Sequence, residues 1–180
     1  MTALAPAFPV IHSVLDPAAL LHEMTMQYDI GTPISAVLLR SWMNEVYALR
    51  TSRGRFILKV FRHGWRSPEE LAYEISLMQH LATHDLIVAL PIMRHDGTIV
   101  SLLPAPEGNR PAIVYPWLTG RPPVPPDEAI YTQVGQVIAR MHRALDSFAS
   151  NHPRSALDVT QLAEAPLRWL LPHLHSRPAD

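Results

Sequence analysis

Three short apolar runs that follow one another closely constrain the fold of this chain more than any other feature of its sequence. The runs are residues 34–39, 45–50 and 56–61, and each is rich in β-branched, aromatic and aliphatic side chains. Only residues 40–44 and 51–54 separate them, and connections this short favour antiparallel neighbours, because parallel strands need a long crossover. The sequence therefore predicts an antiparallel meander of three strands.

Two amphipathic helices are predicted around this meander. Asp16 followed by Pro17 is typical of a helix N-terminus, and apolar residues then recur at helical spacing up to Gly31. Residues 67–70, Ser-Pro-Glu-Glu, form a capping box with proline in the first turn, so a second helix begins there. The apolar stripe of this second helix consists of Leu71, Ile75, Met78, Leu81 and Ala82.

The chain beyond the second helix is predicted to return to strands. Residues 88–93, 99–103 and 112–115 have the composition of two or three further strands, and Asp96-Gly97 is a turn signal between the first two. We therefore expect the sheet to have five antiparallel strands.

A long helix is predicted after a proline-rich linker at residues 122–126. Apolar residues between Ile130 and Phe148 keep the 3.6-residue period for about five turns. Beyond residue 151, prolines interrupt each apolar stretch. The predicted fold class is α+β: a five-stranded antiparallel sheet with one packed helix, an amino-terminal helix, and a linker into the first helices of a second, mostly helical lobe.

Lys59 is the only lysine among the fifteen basic residues of this 180-residue chain. Strand alternation puts it on one face with Ile57 and Phe61, at mid-strand among apolar neighbours. An unpaired buried ammonium costs several kcal/mol, so Lys59 needs a partner. Glu74 lies on the edge of the apolar stripe of the next helix, where a charge is otherwise out of place. We therefore predict an ion pair between Lys59 and Glu74.

Charge and composition exclude several classes of function. Sixteen acidic and fifteen basic residues give a formal net charge of −1, which provides no basic field for nucleic acid or anionic lipid. The absence of cysteine excludes disulfides, iron–sulfur ligation and thiol catalysis, and it agrees with a reducing compartment, so we expect a cytoplasmic location. No window reaches the ~18 apolar residues of a spanning helix, so no membrane segment is expected.

The ten histidines raise the question of a metal site. His80 and His84 stand i and i+4 on one predicted helix face, but no glutamate follows His80 as in a zinc-protease helix. In the last turn of a helix a histidine interacts favourably with the helix dipole. We therefore predict no metal ligands.

Several segments, in this order, resemble the amino-terminal lobe of the aminoglycoside phosphotransferase superfamily. They are Ile-Leu-Lys-Val at residues 57–60, residues 74–81 of the second helix, and Val-Tyr-Pro-Trp-Leu-Thr-Gly at residues 114–120. The superfamily has a protein-kinase-like fold. Residues 44–47 and 135–142 are most similar to its branch of homoserine kinase-type and bacterial stress-response serine/threonine kinases.

The resemblance covers about residues 8–150 and implies a division of the chain. Residues 1–120 would form a nucleotide-binding lobe, and residues 121–180 would form a linker and the start of an incomplete helical lobe. It also implies that Lys59 holds the α- and β-phosphates of ATP, as a compact charge that an arginine fork does not reproduce, and that Glu74 fixes its position.

The resemblance implies a hinge at residues 115–118. Ile57 would lie against the adenine ring, and Tyr115 would begin the hinge. The Pro116 carbonyl would accept a hydrogen bond from the adenine edge and the Leu118 N–H would donate one. Proline suits the first role because it lacks only the donor.

Two departures from the family pattern limit what this chain is expected to do. Residues 40–44 contain no glycine, so they do not form the phosphate cover of protein kinases. Nothing after His142 supplies the catalytic pattern His-x-Asp-x-x-x-x-Asn or a further magnesium-binding Asp. We therefore expect no catalytic residues and no metal ligands in this chain, and no catalysis from it alone.

Two interpretations remain open. The chain is the ATP-binding front part of a longer kinase, which with ATP and magnesium would transfer the γ-phosphate to a hydroxyl of a small molecule or a protein serine or threonine. Alternatively, it is a non-catalytic, truncated or pseudokinase-like module that binds nucleotide weakly or binds only a partner chain. A lobe cut from a longer protein would also expose the apolar stripe of the long helix, which would favour self-association or aggregation.

Overall fold

The computed structural model describes residues 12–120 and 128–174. A single π-helical turn, Thr160–Glu164, leads into the last helix. The helices and strands are, in order, α1 (Pro17–Gln27), β1 (Pro33–Ser41), β2 (Asn44–Thr51), β3 (Gly54–Phe61), α2 (Pro68–Thr83), β4 (Ser101–Ala105), β5 (Gly108–Pro116), α3 (Glu128–Leu145) and α4 (Ala165–Leu174).

The strands form one sheet with the order β1-β2-β3-β5-β4, and all neighbours are antiparallel. The predicted meander and the five-stranded sheet are thus confirmed. β5 enters between β3 and β4, so the end of β5 lies beside the beginning of β3, where Pro116 is opposite Phe56.

Local capping explains where the first two helices begin. The Asp16 carboxylate accepts a hydrogen bond from the Ala19 N–H (2.7 Å) at the start of α1. At the start of α2, the Ser67 hydroxyl accepts from the Glu70 N–H and the Glu70 carboxylate accepts from the Ser67 N–H, both at 3.2 Å. The capping box read from the sequence is therefore formed, and it sets the helical register of every later residue of α2.

Residues 88–93 do not form a strand, so this part of the prediction is wrong. The Ile92 N–H donates to the Val114 carbonyl (2.8 Å), but Pro91 has no N–H with which to extend a ladder. Asp96-Gly97 does form a turn, but the hairpin between β4 and β5 turns at residues 106–107 instead. Residues 88–93 therefore run as irregular chain and leave β4 as the edge strand.

The two faces of the sheet carry separate cores, as the alternation along β3 predicts. Leu58 and Val60 are fully buried on the face that α1 covers, together with Tyr47. Phe61 is buried on the opposite face, which α2 covers with Leu71 and other residues. Ile57 and Lys59 share this second face.

A buried ionic cluster lies on the α1 side of the sheet. The side chains of Arg110 and Glu45 are 0% and 1% exposed, and Arg110 Nη2 lies 3.1 Å from Glu45 Oε1. Arg110 also donates to the carbonyls of Phe61 (3.1 Å) and Ser13 (3.0 Å), and the Tyr47 hydroxyl donates to Glu45 Oε2 (2.6 Å). The cluster ties the chain before α1 to β2 and β5.

The long helix α3 exposes most of its apolar residues. It ends at Leu145, three residues before the predicted Phe148, and the predicted linker at residues 122–126 lies outside the described residues. Its last turn reaches α2, where the ring of His80 hydrogen-bonds the Ala144 carbonyl (2.8 Å). The exposed apolar side chains of α3 include Tyr131, Val134, Val137 and Ile138.

In the described part of the chain, no helix is long and apolar enough to cross a membrane.

Candidate functional site

The predicted ion pair between Lys59 and Glu74 is present. Lys59 Nζ lies 3.0 Å from Glu74 Oε1, and it stands 4.5 Å from the centre of the Phe61 ring. The two charged side chains are 26% and 31% exposed. A pair this open to water contributes at most about 1 kcal/mol to stability. Its clearest consequence is therefore to hold an ammonium at a fixed, partly exposed point on the face of the sheet that α2 covers.

A cleft of about 320 Å³ opens beside this pair, where β5 ends. Ile57 pairs with Tyr115 across β3 and β5, and both line the cleft. Lys59 is two residues further along the same face of β3, a rise of about 7 Å. The remaining lining residues are Ala89, Pro116, Trp117 and Leu118.

The main chain at the cleft presents an acceptor and a donor. The Trp117 N–H points at β3, since it donates to the Arg55 carbonyl (3.2 Å). In an antiparallel strand the polar groups of alternate residues point to opposite sides, so the Pro116 carbonyl points away from β3. The same alternation, continued two residues past the end of β5, would turn the Leu118 N–H away as well. Within the described residues, no hydrogen bond uses the Leu118 N–H. This pairing of groups matches the edge of an adenine, which offers an amino donor beside a ring-nitrogen acceptor.

Two aromatic residues, Trp117 and Tyr115, line the cleft. The guanidinium of Arg55 stacks on the ring of Trp117, 3.7 Å from its centre, and so fixes the chain just beyond β5. Burial raises the pKa of Tyr115, and the negative charge of Glu74 raises it further. Tyr115 therefore stays neutral at physiological pH and serves as an apolar wall.

The structure brings the predicted site residues together, as two adjoining groups. Ile57, Tyr115, Pro116 and Leu118 line the cleft, and the Lys59–Glu74 pair lies beside it. Sequence reasoning missed Ala89, because residues 88–93 were expected to be a strand. Their one distinguishing signal is Pro91, which argues against a central strand.

The same face carries a larger depression of about 720 Å³ near the start of β3. Its lining includes Val37, Ala48, Arg50 and Arg55. The smaller cleft is the better candidate site, because it combines an apolar wall with main-chain groups at residues 116–118 and a neighbouring ammonium. In the two described segments, no three His, Cys, Asp or Glu side chains come together as a metal site.

A five-stranded antiparallel sheet that holds a Lys–Glu pair next to an apolar cleft at the end of β5 has the architecture of a protein-kinase-like fold. The family model described as "Phosphotransferase enzyme family" matches residues 36–180. This chain belongs to that family, and it carries a kinase-like phosphotransferase domain.

Relatives of the chain agree with this assignment. An uncharacterized protein of Deinococcus radiodurans is 38% identical over 97% of this chain and 50% of its own length. A homoserine kinase of Paraburkholderia phymatum is 32% identical over 75% of this chain and 40% of its own length. The chain spans about half the length, or less, of the curated relatives that it matches.

Solved structures support the fold. The amicoumacin kinase hAmiN, in complex with AMP-PNP, Ca²⁺ and Ami, superposes with a TM-score of 0.67 over 92% of this chain and 55% of its own, at 20% identity. A microcompartment-associated aminopropanol kinase superposes with a TM-score of 0.69 over 84% of this chain and 48% of its own, also at 20% identity. At this identity the likeness concerns the fold alone.

Proposed function

We propose that residues 1–120 form a lobe that binds ATP in the cleft at the end of β5, called here the hinge cleft, with residues 115–118 as the hinge. The observation that carries the proposal is the position of the Lys59–Glu74 pair beside an apolar cleft whose main chain offers an outward acceptor and donor. Adenine lies between Ile57 and the hinge, where it hydrogen-bonds the Pro116 carbonyl and the Leu118 N–H. A solved structural neighbour was determined with the ATP analogue AMP-PNP, which agrees with this proposal.

The ammonium of Lys59 binds the α- and β-phosphates in this proposal. A nucleotide whose base lies against Ile57 directs its phosphates along β3, toward Lys59. Glu74 supports this role, because its carboxylate holds the ammonium at 3.0 Å without burying it. Lysine suits the task because its charge is a compact point, whereas the guanidinium of arginine is a wide planar fork.

The reaction of the whole protein is proposed from its relatives. In a full-length form, the γ-phosphoryl group of ATP passes to the hydroxyl of a small molecule, and ADP and a proton are released. Homoserine kinases and an aminopropanol kinase are among the proteins that this chain is similar to. Magnesium supports such transfers by neutralising phosphate charge. The described residues provide no cluster that fits the ion, so we assign no magnesium ligand here.

We propose that residues 121–180 begin a helical lobe, and that this chain does not transfer phosphate by itself. The sequence after His142 contains no His-x-Asp-x-x-x-x-Asn pattern, so the groups that orient the acceptor hydroxyl are missing. Phosphoryl transfer depends mainly on positioning and electrostatic stabilisation. A lobe with only the nucleotide-binding groups is therefore expected to bind and not to react.

A Leu118→Pro variant tests the adenine contact directly. Proline removes the N–H that is proposed to donate to the base, and the loss of one hydrogen bond of about 1.4 kcal/mol weakens binding about tenfold. Isothermal titration with ATP measures this change. Leu118→Ala is the matched control, because it keeps the N–H and loses only side-chain contact, so it is expected to weaken binding less than Leu118→Pro.

The same titrations decide whether the hinge cleft is the nucleotide site. Saturable ATP binding by the wild-type chain, weakened most by Leu118→Pro, supports the proposal. If the wild-type chain does not bind ATP at millimolar concentration, or if all three proteins bind equally, the site is wrong.

The exposed face of α3 is proposed to mediate self-association. Val134 and Ile138 stand one turn apart on this helix and are 49% and 43% exposed. Burying such side chains against another molecule is favourable, at about 25 cal/mol per Å². Sedimentation velocity is expected to show oligomers of the wild type that shift to monomer in Val134→Ser/Ile138→Ser. Gln133→Ser, a polar change on the same helix, is the control, and a monodisperse wild-type monomer at high concentration would contradict the proposal.

A further inference from the structure

A β-bulge near the end of β1 changes the direction of one arginine. Leu38 pairs with Tyr47, but Arg40 pairs with Val46 and Ser41 with Glu45, so the register shifts between Leu38 and Arg40. Leu39 and Arg40 therefore oppose a single residue of β2. Bulges of this kind commonly redirect a side chain beside a functional site.

The bulge moves Arg40 to the face of the sheet that carries Lys59. Leu38 packs against the core on the α1 side. Without an extra residue, Arg40 would follow Leu38 onto that side. Instead, Arg40 pairs with Val46 of β2, and Val46 pairs with Lys59 of β3. Arg40 and Lys59 thus lie in one cross-strand row, two strand spacings or about 10 Å apart.

Arg40 is exposed, and no ion pair or hydrogen bond engages its side chain within the described residues. Nearby arginines are occupied. Arg62 donates to the Trp42 carbonyl and so fastens the loop between β1 and β2, and Arg66 pairs with Glu70 at 3.3 Å. The row of Lys59 therefore contains a second cation whose role in the fold is unexplained.

The loop that follows Arg40 gives this cation a role. A glycine-rich loop binds phosphates through main-chain N–H groups that approach closely. Residues 40–44 instead carry Trp42 and Met43, which are 72% and 50% exposed, and contain no glycine. A loop without glycine is less able to bring its main-chain N–H groups close to phosphates, so a long charged side chain near its start is suited to reach them instead.

We propose that Arg40 is a second phosphate-binding residue, which contacts the terminal phosphates of a nucleoside triphosphate across the row from Lys59. This inference rests on the proposed ATP site and adds a residue to it. A guanidinium presents paired donors to phosphate oxygens. Lys59 and Arg40 together would place two cations on either side of the polyphosphate chain, which favours triphosphate over adenosine.

Isothermal titration of ATP and of adenosine against Arg40→Ala tests this assignment. We expect ATP binding to weaken about tenfold, as for the loss of one charge-assisted contact, while adenosine binding changes less than about twofold. Arg50→Ala is the matched control. Arg50 is an exposed arginine of β2 that lies opposite Arg55 of β3. Arg55 is four residues, or about 13 Å, from Lys59 along β3. The loss of Arg50 should therefore leave ATP affinity within about twofold.

The outcomes separate this inference from the ATP site itself. If Lys59→Met weakens ATP binding but Arg40→Ala behaves like Arg50→Ala, the role of Arg40 is wrong and the ATP site stands. Equal loss of ATP and adenosine binding in Arg40→Ala would also overturn it, since a phosphate contact cannot affect adenosine. If the wild type binds no ATP, both proposals fail. Circular dichroism of each variant checks that the fold is intact.

Discussion

Replacing Lys59 with methionine is expected to weaken ATP binding by about 10- to 100-fold while leaving adenosine binding nearly unchanged. Hydrogen bonds to charged groups contribute about 1.5–3 kcal/mol, and methionine keeps much of the side-chain length while removing the charge. The fold should tolerate the change, because the Lys59–Glu74 pair is about a quarter to a third exposed and contributes at most about 1 kcal/mol. The large effect is therefore expected in binding and not in stability.

Isothermal titration of ATP and adenosine with wild type and Lys59→Met measures this difference. Lys59→Arg is the informative control. It keeps the positive charge but replaces a point charge with a planar fork, so an intermediate affinity is expected. Glu74→Gln should weaken ATP binding less than Lys59→Met, because it only loosens the position of the ammonium. ATP binding that is equal in wild type and Lys59→Met would exclude Lys59 from the phosphate site.

The Lys59–Glu74 pair could be predicted from the sequence, because each charge stands at a position where it needs a partner. Lys59 is a charge at mid-strand and Glu74 is a charge on the edge of an apolar helix stripe. Each is costly alone, and the two have opposite signs. The strand period of two and the helix period of 3.6 are enough to place both on facing surfaces. The hinge at residues 115–118, by contrast, was predicted only from the resemblance to the phosphotransferase family, and it remains a prediction.

Other parts of the site could not be predicted, because they depend on tertiary contacts. Residues 88–93 have the composition of a strand, yet β4 occupies the edge position and leaves Ala89 to line the cleft. The bulge at Leu39 and Arg40 also leaves no trace in an apolar run, since strict alternation would place Arg40 on the opposite face. A shift of one residue decides whether this arginine lies on the α1 face of the sheet or on the face of Lys59, where we propose that it binds phosphate.

The buried charge cluster was equally hidden from sequence reasoning. Arg110 lies just outside the predicted strand at residues 112–115, where an arginine is usually solvated. Only the observed pairing of β5 with β4 and β3 carries Arg110 into the interior, next to Glu45. Its exposure of 0% makes it the most consequential arginine for stability among those described.

Arg110→Ala is accordingly expected to lower the free energy of unfolding by about 3–5 kcal/mol. The variant removes the guanidinium that lies 3.1 Å from the Glu45 carboxylate, and Glu45 is 1% exposed, so water cannot replace this partner. The carbonyls of Phe61 and Ser13 lose their donor in the same step. A domain of this size has about 5–15 kcal/mol to lose, so the variant should unfold at much lower denaturant concentration or fail to fold. Urea denaturation followed by circular dichroism measures the change.

Comparing the loss of stability in Arg110→Ala with that in Arg53→Ala separates the effect of losing a buried charge from the effect of losing an exposed one. Arg53 pairs with Asp29, but the two side chains are 56% and 70% exposed, so Arg53→Ala should cost less than about 1 kcal/mol. A double variant, Arg110→Met/Glu45→Leu, removes the closest buried ion pair and should recover part of the stability that Arg110→Met loses, because no Glu45 carboxylate is left without its arginine. The recovery is partial because Glu107, 9% exposed and 3.9 Å from Arg110, still loses its partner. If Arg110→Ala and Arg53→Ala destabilise equally, the buried cluster does not hold the chain before α1 to the sheet.

Since the cluster lies on the face opposite Lys59, ATP affinity should be unchanged in any variant that still folds.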